Sequence, residues 1–209
     1  MKFSIIIPAH NASKTIGKTL ESVRNQVFKD YELIVVCDSC DDNTKEIADS
    51  YGANTVEVDY KRDGLSRNKG IEMAQGDWVM FMDADDWWMH EYVLTMLDAV
   101  LDEEVEDILC FSFIWKSIGY IHQLKTILPA VWNKVWRRSF IGDIRFTDIP
   151  YGSDADFTKA IFDKKPRLKI WDMPFYYYNF MSEGSLNERK ENGEFEDYGF
   201  LPVNKNKSE

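Results

Sequence analysis

The chain has 209 residues, of which 44% are hydrophobic, so it can bury a sizeable core within one domain without disulfide or metal staples. This composition excludes collagen, a coiled coil and wholesale disorder. The 25 basic and 36 acidic side chains give a formal net charge of -11, which repels a phosphate backbone and disfavours general nucleic-acid binding. Three cysteines are too few for a disulfide framework and predict a reducing compartment.

The first predicted element is a short apolar run at residues 5–7, which is too short for a signal-peptide core and predicts a buried strand. No later stretch approaches the roughly 20 apolar residues that a membrane span needs. We therefore expect a cytoplasmic protein without a transmembrane segment, and we expect any contact with the inner face of the membrane to be peripheral.

Strands and helices alternate along the first half of the chain. Apolar runs rich in branched and aromatic residues predict buried parallel strands at residues 5–7, 33–36, 78–82 and 108–114. A first helix, with capping side chains expected from residues 11–13, is predicted by apolar residues at helical spacing: Ile16, Leu20, Val23 and Val27. Further helices are expected after Asp41 and after Ser66, the latter ending near Gly76. The alternation predicts an α/β fold with a mostly parallel sheet and helices on both faces.

The second half of the chain is less regular. From about Pro129 the alternation weakens, and we predict a small subdomain lying over the sheet rather than a separate domain. Trp132 and Trp136 stand one helical turn apart and are expected to pack. We therefore predict a single domain over residues 1–185, with halves at about 1–100 and 101–185, and a polar tail without chemistry at 186–209.

Acidic side chains follow two of the predicted strands. Asp38 follows the run at 33–36 after one residue, Asp83 comes directly after the run at 78–82, and Asp85 stands two residues after Asp83. Ligands of open α/β sheets gather outside the carboxyl ends of the strands, and a divalent cation with oxygen ligands makes such crowding of carboxylates favourable. Carboxylates two residues apart in extended chain point the same way. The pattern predicts a metal-diphosphate site, with a loop of solvated acids as the alternative.

Four segments resemble, in order and spacing, the successive motifs of family 2 glycosyltransferases of the GT-A fold: residues 4–11, 32–38, 66–70 and 81–86. Two later segments, at 132–134 and 152–157, resemble the family's later signatures, and the resemblance covers residues 1–185. It implies a Rossmann-like sheet of the GT-A type, a nucleotide-sugar half and a small C-terminal subdomain on the side of the sugar acceptor.

The resemblance also implies a role for each residue that matches a motif. His10 would stack on the base, Asp38 would accept a hydrogen bond from the base, and Arg67 would lie near the diphosphate. Asp85 would hold the metal, with Asp83 near the ribose and beside the metal, and Asp154 would be the catalytic base, with Asp156 as the alternative. The implied nucleotide-sugar-binding set is Pro8, His10, Asn11, Asp38, Arg67, Asp83 and Asp85.

The activity that the resemblance implies is metal-dependent, inverting transfer of a sugar from a nucleoside-diphosphate sugar to a hydroxyl acceptor. UDP is the commonest nucleotide of the family, and surface-polysaccharide synthesis on glycan or lipid-linked acceptors is its commonest setting. Mn²⁺ or Mg²⁺ would neutralise the charge that develops on the leaving diphosphate. Trp87, Trp88 and Lys134 are candidate contacts to the sugar or its acceptor, with core packing or solvation as the alternatives.

Three departures from the family pattern leave a second function open. Cys37, Ser153 and Asn179 stand where the family commonly has an aspartate, a glutamate and an arginine. A sugar-nucleotide-binding protein with weakened catalysis is therefore the main alternative. A metal-dependent phosphotransfer enzyme is less favoured. The segment Asp83-Ala84-Asp85 resembles the motif of haloacid-dehalogenase-type phosphatases, but Trp87 stands where those enzymes have a threonine or valine.

A Cys-x-x-Cys motif also overlaps the acidic segment. Cys37 and Cys40 beside a βαβ pattern can indicate redox chemistry. We expect the neighbouring carboxylates of Asp38, Asp41 and Asp42 to raise the pKa of these thiols, which disfavours a reactive cysteine.

Overall fold

The computed structural model describes residues 1–101, 105–116, 121–122 and 128–179. In this part of the chain the strands are β1 (Phe3–Ala9), β2 (Tyr31–Asp38), β3 (Asn54–Val58), β4 (Trp78–Phe81), β5 (Trp87–Trp88), β6 (Ile108–Trp115), β7 (Ile121–His122), β8 (Lys134–Arg137) and β9 (Leu168–Tyr178). The helices are α1 (Ile16–Arg24), α2 (Thr44–Ser50), α3 (Asp63–Met73), α4 (Val93–Val100), α5 (Arg138–Ile141) and α6 (Ser153–Asp163). The predicted polar tail at 186–209 lies outside the described residues.

One sheet organises these elements, in the strand order β3-β2-β1-β4-β8-β6-β9-β5, with β7 paired to β6. Its first four strands are parallel, with Ile6 of β1 opposite Ile34 of β2 and Phe81 of β4. These three side chains are 0 to 1% exposed, as expected for parallel strands covered on both faces. The predicted α/β fold and all four predicted strands are confirmed, whereas β3 was not predicted.

The sheet continues without interruption into the second half of the chain. Strand β8 pairs antiparallel with β4 and with β6, and β6 pairs parallel with β9. The helical spacing inferred for Trp132 and Trp136 is wrong, because Trp136 lies on β8 and Trp132 just precedes it. Both tryptophans are nevertheless buried, so the expectation that they pack is confirmed.

The predicted helices are present with shifted ends. Helix α1 ends at Arg24, so Val27 lies beyond it and is 52% exposed, contrary to the apolar pattern. The capping expected from residues 11–13 is also absent, since Thr15 precedes the helix and makes no side-chain cap bond. Helix α3 begins three residues before Ser66, at Asp63.

Helix α3 lies very close to the central strand. A Cβ on Gly70 would overlap the side chain of Ile6 on β1, so only glycine allows this approach. The close packing fixes the position of the N-terminal turn of α3 beside the sheet edge where β1 and β2 end. Among the described helices, none has the length and apolar character that spanning a bilayer requires.

Candidate active site

The carboxyl ends of β1, β2 and β4 meet at one edge of the sheet, because the three strands are parallel neighbours. This edge carries His10 after β1, Asp38 at the end of β2, and Asp83 and Asp85 after β4. Helix α6 supplies Asp154 to the same place, as its contact with Arg67 shows. The structure therefore brings the predicted donor-side carboxylates and the predicted base together.

Asp38 organises the turn that leads into α3. Its Oδ1 accepts hydrogen bonds from the backbone N–H groups of Tyr60 (2.8 Å) and Lys61 (2.9 Å). Its Oδ2 accepts from the N–H of Arg62 (3.0 Å) and the hydroxyl of Ser66 (2.9 Å). Burial alone would raise the pKa of Asp38, but these hydrogen bonds hold it below its usual value. A nucleobase that bonds to Asp38 would have to replace one of these donors.

Arg67 is the common cation of the site. Its side chain is 3% exposed, and its guanidinium pairs with Asp63 one turn earlier in α3, with Asp83 Oδ1 (2.7 Å) and with Asp154 Oδ1 (3.4 Å). The Nε atom of Arg67 has no hydrogen-bond partner within the described ranges. One buried side chain thus joins α3, the loop after β4 and the first turn of α6.

The carboxylates around Arg67 outnumber the positive charge. Burial raises the pKa of Asp83 to about 6, and the nearby carboxylates of Asp85 and Asp154 act in the same direction. Arg67 opposes the shift without cancelling it. The local excess of negative charge is what a bound cation would relieve.

The donor atoms at this edge fit a divalent metal of the Mg²⁺ or Mn²⁺ kind. Within the part of the chain that the structure describes, no group of three or more His, Cys, Asp or Glu side chains forms a complete metal site. Mg²⁺ is commonly held by only one or two carboxylates, while substrate phosphates and water complete its coordination. The hard oxygens of Asp83 and Asp85, crowded in a partly buried loop, match this smaller donor set.

Asp154 lies in the first turn of α6, which begins directly after Gly152, and the φ of 86° at Gly152 is a conformation that favours glycine. The Oδ1 of Asp154 is buried and receives no hydrogen bond from the described residues, and Arg67 lies 3.4 Å from it as an ion-pair partner. Asp156 is exposed and accepts a hydrogen bond from the hydroxyl of Thr147 (2.9 Å) instead. The two aspartates therefore face different surroundings.

Ser153, one of the departures from the family pattern, lies where α6 approaches α3. A Cβ added at Gly64 would stand only 2.8 Å from the Ser153 hydroxyl. The small side chains of Gly64 and Ser153 therefore allow the two helices to pack closely, which brings Asp154 within reach of Arg67.

The loop that follows β1 lies beside the loop that follows β2. His10 is exposed, and its Nδ1 lies 2.6 Å from the backbone oxygen of Asp38, while Asn11 Oδ1 accepts a hydrogen bond from the N–H of Asp41 (2.7 Å). Pro8 is half-buried within β1. The roles of Pro8, His10 and Asn11 in nucleotide binding stay predictions, but the three residues lie at the required edge.

Asp86 is a residue of the site to which the sequence assigned no role. It is fully buried, and its carboxylate accepts hydrogen bonds from the hydroxyl of Tyr176 (2.6 Å) and the backbone N–H of Asn179 (2.7 Å). Burial raises the pKa of Asp86 well above its usual value, and neighbouring Asp83 and Asp85 add to the shift. Asp86 thus ties the acidic loop to the end of β9. Its position in the motif was the available signal, but its partners lie about ninety residues away in sequence.

The two tryptophans that follow the acidic loop differ in exposure. Trp87 is half-buried and stacks on Tyr177 with ring centroids 4.2 Å apart, while Lys18 Nζ lies 3.1 Å from its ring centroid. Trp88 is 4% exposed and belongs to the core. Trp87 is more exposed than Trp88, but a sugar that stacked on its ring would have to displace Tyr177 or Lys18, and sugar contact stays a prediction.

Lys134 is fully buried and anchors the segment 128–131. Its ammonium group donates to the carbonyl oxygens of residues 128 (2.7 Å) and 130 (2.5 Å), and burial lowers the pKa of Lys134 to about 8. The carbonyls of residues 129 and 131 accept hydrogen bonds from Thr158 (2.7 Å) and from the indole of Trp136 (3.1 Å). Because Thr158 lies one turn after Asp154 on α6, the segment is fixed to the helix that carries the predicted base. A direct role of Lys134 in sugar-acceptor contact stays a prediction.

The arrangement found here is that of the GT-A fold. It comprises a Rossmann-like sheet with an acidic loop after its central strand, a buried arginine, and an acid on a following helix. The sequence matches the family described as "Glycosyl transferase family 2" over residues 4–168, and the chain belongs to this family.

Individual relatives agree with the family match. Poly(ribitol-phosphate) beta-N-acetylglucosaminyltransferase TarS of Staphylococcus aureus is 27% identical over 209 residues, covering 88% of this chain and 36% of TarS. Amylovoran biosynthesis glycosyltransferase AmsB of Erwinia amylovora is 41% identical over 96 residues, covering 42% of this chain and 32% of AmsB. The chain thus matches about a third of the length of these curated relatives.

Solved structures show the same fold. Residues 1-349 of S. aureus TarS in complex with UDP-GlcNAc superpose with a TM-score of 0.78 at 26% identity, covering 90% of this chain and 61% of that one. The mannosyltransferase PcManGT from Pyrobaculum calidifontis, in complex with GDP-Man and Mn²⁺, gives a TM-score of 0.69 at 15% identity, covering 88% of this chain and 58% of that one. At this lower identity the likeness shows the fold alone.

Proposed function

We propose that this chain transfers a sugar from a nucleoside-diphosphate sugar, with UDP as the expected nucleotide, to a hydroxyl of a glycan, lipid-linked or other acceptor in surface-polysaccharide synthesis. The observation that carries the proposal is the position of Arg67, which pairs with Asp83 (2.7 Å) and Asp154 (3.4 Å) at the sheet edge where Asp38 ends β2. The similarity to TarS, solved with UDP-GlcNAc, supports a UDP-sugar donor.

The donor half of the site consists of the residues at the ends of β1, β2 and β4. His10 and Asn11 form one wall of the proposed nucleotide pocket, and the Asp38 network holds the turn before α3 as another. Asp83 and Asp85 are the residues that would hold Mn²⁺ or Mg²⁺. When bound there, the metal would supply charge neutralisation for the leaving diphosphate.

Asp154 is the proposed general base. Its carboxylate accepts the proton of the acceptor hydroxyl as that oxygen attacks the anomeric carbon from the face opposite the diphosphate. One such displacement forms the new glycosidic bond, breaks the bond to the diphosphate and inverts the anomeric centre. Two observations support this role: the Oδ1 of Asp154 accepts no hydrogen bond from the described residues, and its ion pair with Arg67 orients the carboxylate.

A lipid-linked acceptor would bring the protein to the cytoplasmic face of the membrane. Because none of the described helices is long and apolar enough to cross a bilayer, contact of this part of the chain with the membrane would be peripheral.

The proposal is tested by incubating the protein with a panel of nucleotide sugars in the presence of Mn²⁺ or Mg²⁺ and measuring released nucleoside diphosphate. We expect slow hydrolysis of one donor, faster release when a suitable acceptor is added, and loss of both on chelation of the metal. Absence of both turnover and nucleotide binding across the panel would overturn the proposal.

A sugar-nucleotide-binding protein with weakened catalysis is the second candidate, and the residues that depart from the family pattern favour it: Cys37, Ser153 and Asn179. Calorimetry in the same panel separates the two functions, because this candidate binds a nucleotide sugar without releasing its diphosphate. The close packing of Ser153 against Gly64 favours the enzyme, since it leaves Asp154 in place.

A further inference from the structure

Cys37 and Cys40 form a pair of thiols at the edge of the proposed nucleotide pocket. Cys37 lies at the end of β2 and is 1% exposed, whereas Cys40 is half-buried in the following loop. Ser39 between them adopts a left-handed conformation with a φ of 52°, and the two thiols lie close enough to influence each other's pKa. All three cysteines of the chain are free.

Cys40 also contacts the loop that follows β1. Its Sγ lies 3.4 Å from the carbonyl oxygen of Ala9 and accepts a hydrogen bond from the backbone N–H of Asn11. His10 lies between these two residues and bonds to the backbone of Asp38. Cys40 is therefore one of the groups that hold the loop 9–11 against the loop after β2.

The two thiols differ in acidity. Hydrogen bonding from Cys37 lowers the pKa of Cys40 to about 7, with help from the Asn11 N–H and His10 and against burial and Asp42. The same hydrogen bond, together with burial, raises the pKa of Cys37. The expectation that the acidic neighbours raise the pKa of both thiols is therefore wrong for Cys40, where Asp42 acts in the expected direction but the hydrogen bonds outweigh it.

We propose that Cys37 and Cys40 are an oxidisable dithiol whose disulfide releases the loop 9–11 and thereby weakens nucleotide binding. The effect on the nucleotide rests on the proposed function, whereas disulfide formation and loop release do not. Half-buried Cys40 reacts first with the oxidant, and buried Cys37 acts as the resolving thiol.

The oxidant of this reaction is a hydroperoxide. The Cys40 thiolate attacks the terminal oxygen, the O–O bond breaks, and the departing alkoxide takes up a proton to leave as an alcohol, or as water when the oxidant is hydrogen peroxide. Cys40 is then a sulfenic acid. The Cys37 sulfur attacks the Cys40 sulfur, the S–S bond forms, the S–O bond breaks, and the hydroxide leaves as water with the Cys37 proton. Two thiols and one hydroperoxide give one disulfide, one alcohol and one water.

The disulfide replaces the S–H group of Cys40, so the hydrogen bond that Cys40 donates to the Ala9 carbonyl is lost. The bond from the Asn11 N–H is weakened, because a disulfide sulfur is a poorer acceptor than a thiolate. The loop 9–11 then keeps the contacts of His10 and of the Asn11 side chain but loses one of its supports. Loss of a hydrogen bond of ordinary strength predicts nucleotide affinity lower by about three- to tenfold.

The first measurement concerns the thiols alone. The protein is treated with hydrogen peroxide, and the peptide that contains both cysteines is examined by mass spectrometry for loss of two hydrogen atoms, with reversal by dithiothreitol. We expect this disulfide in the wild type and in Cys110→Ser. We expect a dimedone-trapped sulfenic acid on Cys40 in Cys37→Ser and none on Cys37 in Cys40→Ser. Failure to form the disulfide, or first oxidation at Cys37, would overturn the proposal.

The second measurement compares reduced and oxidised protein. Amide hydrogen exchange at residues 9–13 should be faster after oxidation, and calorimetry with UDP and Mn²⁺ should show the weaker affinity. If oxidation leaves the amide exchange rates unchanged, the proposed release of the loop is wrong. If the reduced and oxidised forms bind the nucleotide with equal affinity, the proposed effect of the disulfide on nucleotide binding is wrong. If the reduced protein binds no nucleotide, the proposed function fails, while disulfide formation and exchange still decide whether the dithiol releases the loop.

Discussion

Ion clusters lie at both ends of the strands of the central sheet, and they differ in the balance between carboxylates and arginines. At the edge where β1, β2 and β4 end, Arg67 faces several carboxylates, and the pKa of Asp83 is raised to about 6 mainly by burial. At the edge where β6 and β9 begin, Asp107 accepts hydrogen bonds from Arg167 Nε (3.0 Å) and Nη2 (2.7 Å) and pairs with Arg137 (3.6 Å). Hydrogen bonding to Arg167 holds the pKa of Asp107 below its usual value despite burial.

The Asp107 cluster stabilises the fold, whereas the Arg67 cluster belongs to the proposed ligand site. The carboxylate of Asp107 is fully compensated by protein groups, so its charge stabilises the folded state. The carboxylates near Arg67 exceed their protein partners, which is costly without a ligand and useful when a cation and a diphosphate arrive. Mutations at the Arg67 edge should therefore change turnover and ligand binding as well as stability, whereas mutations at the Asp107 edge should change stability alone.

The largest expected effect is on turnover, at the Arg67 edge. Asp154→Asn removes the proposed base while keeping the size of the side chain, so transfer should fall by about 10²- to 10⁴-fold. Nucleotide affinity should survive, because the proposed role of Asp154 concerns the acceptor hydroxyl and not the nucleotide. Product release measures the rate, and calorimetry measures the affinity.

The matched control is Asp156→Asn, two residues along the same helix, which should transfer at nearly the wild-type rate because Asp156 is exposed and bonds to Thr147. Loss of nucleotide binding in Asp154→Asn, or loss of transfer in the control alone, would contradict the assignment of the base.

The next effect is on folding and contrasts the two arginines. Arg67→Met leaves buried carboxylates without their cation and should lower the free energy of unfolding by about 3 to 5 kcal/mol. Arg167→Met should cost less, because Arg167 is 54% exposed and Arg137 still pairs with Asp107. Urea denaturation measures both, and equal losses would show that the two clusters do not differ as described.

Asp107→Asn should act on stability and its pH dependence. Removing the charge should cost about 1.5 to 3 kcal/mol at pH 7, since hydrogen bonds to a charged group are lost. The folded-state pKa of Asp107 is lowered, so its contribution is complete above the unfolded value of about 3.9 and is lost as the pH falls through the folded value. Stabilities of wild type and variant should converge in acid, as measured by urea denaturation across pH. A difference that stays constant down to the lowest pH would argue against the ion pair as its source.

The smallest expected effect is on metal-assisted binding. Asp85→Ala should remove the gain in nucleotide affinity that Mn²⁺ gives the wild type, a loss of about tenfold or more. Calorimetry with UDP, with and without Mn²⁺, measures the gain, and Asp98→Ala on α4 serves as an acidic control, because Asp98 is half-buried and pairs with Lys2 (3.4 Å). A variant with the full Mn²⁺-dependent affinity would show that Asp85 is not a ligand.

The sequence predicted the elements whose signal is local. The four apolar runs identified β1, β2, β4 and β6 because strands buried on both faces need continuous hydrophobic residues. Strand β3 was not predicted, because it is the outermost strand of the sheet and its side chains are only partly buried. Strand β8 was read with helical spacing because Trp132 and Trp136 are four residues apart, and only pairing with β4 and β6 makes that segment a strand.

The candidate site was predictable as a set of acidic residues but not as a network. Asp38 and Asp83 were found because they follow buried strands. The pairing of Arg67 with Asp83 and Asp154 depends on the contact between α3 and α6, and neither the spacing nor the composition reveals that contact. The buried bond between Asp86 and Tyr176 likewise joins segments that are distant in sequence.

The pairing of β4 with β8 has a consequence for dividing the chain into exchangeable parts. A fragment that stopped near residue 100 would leave one side of Trp78–Phe81 without the partner that β8 provides, and an uncovered apolar strand edge promotes aggregation. Chimaeras between relatives should therefore carry residues 134–137 along with the strand they cover. A junction placed between β4 and β8 would require a strand from one parent to pair with a strand from the other.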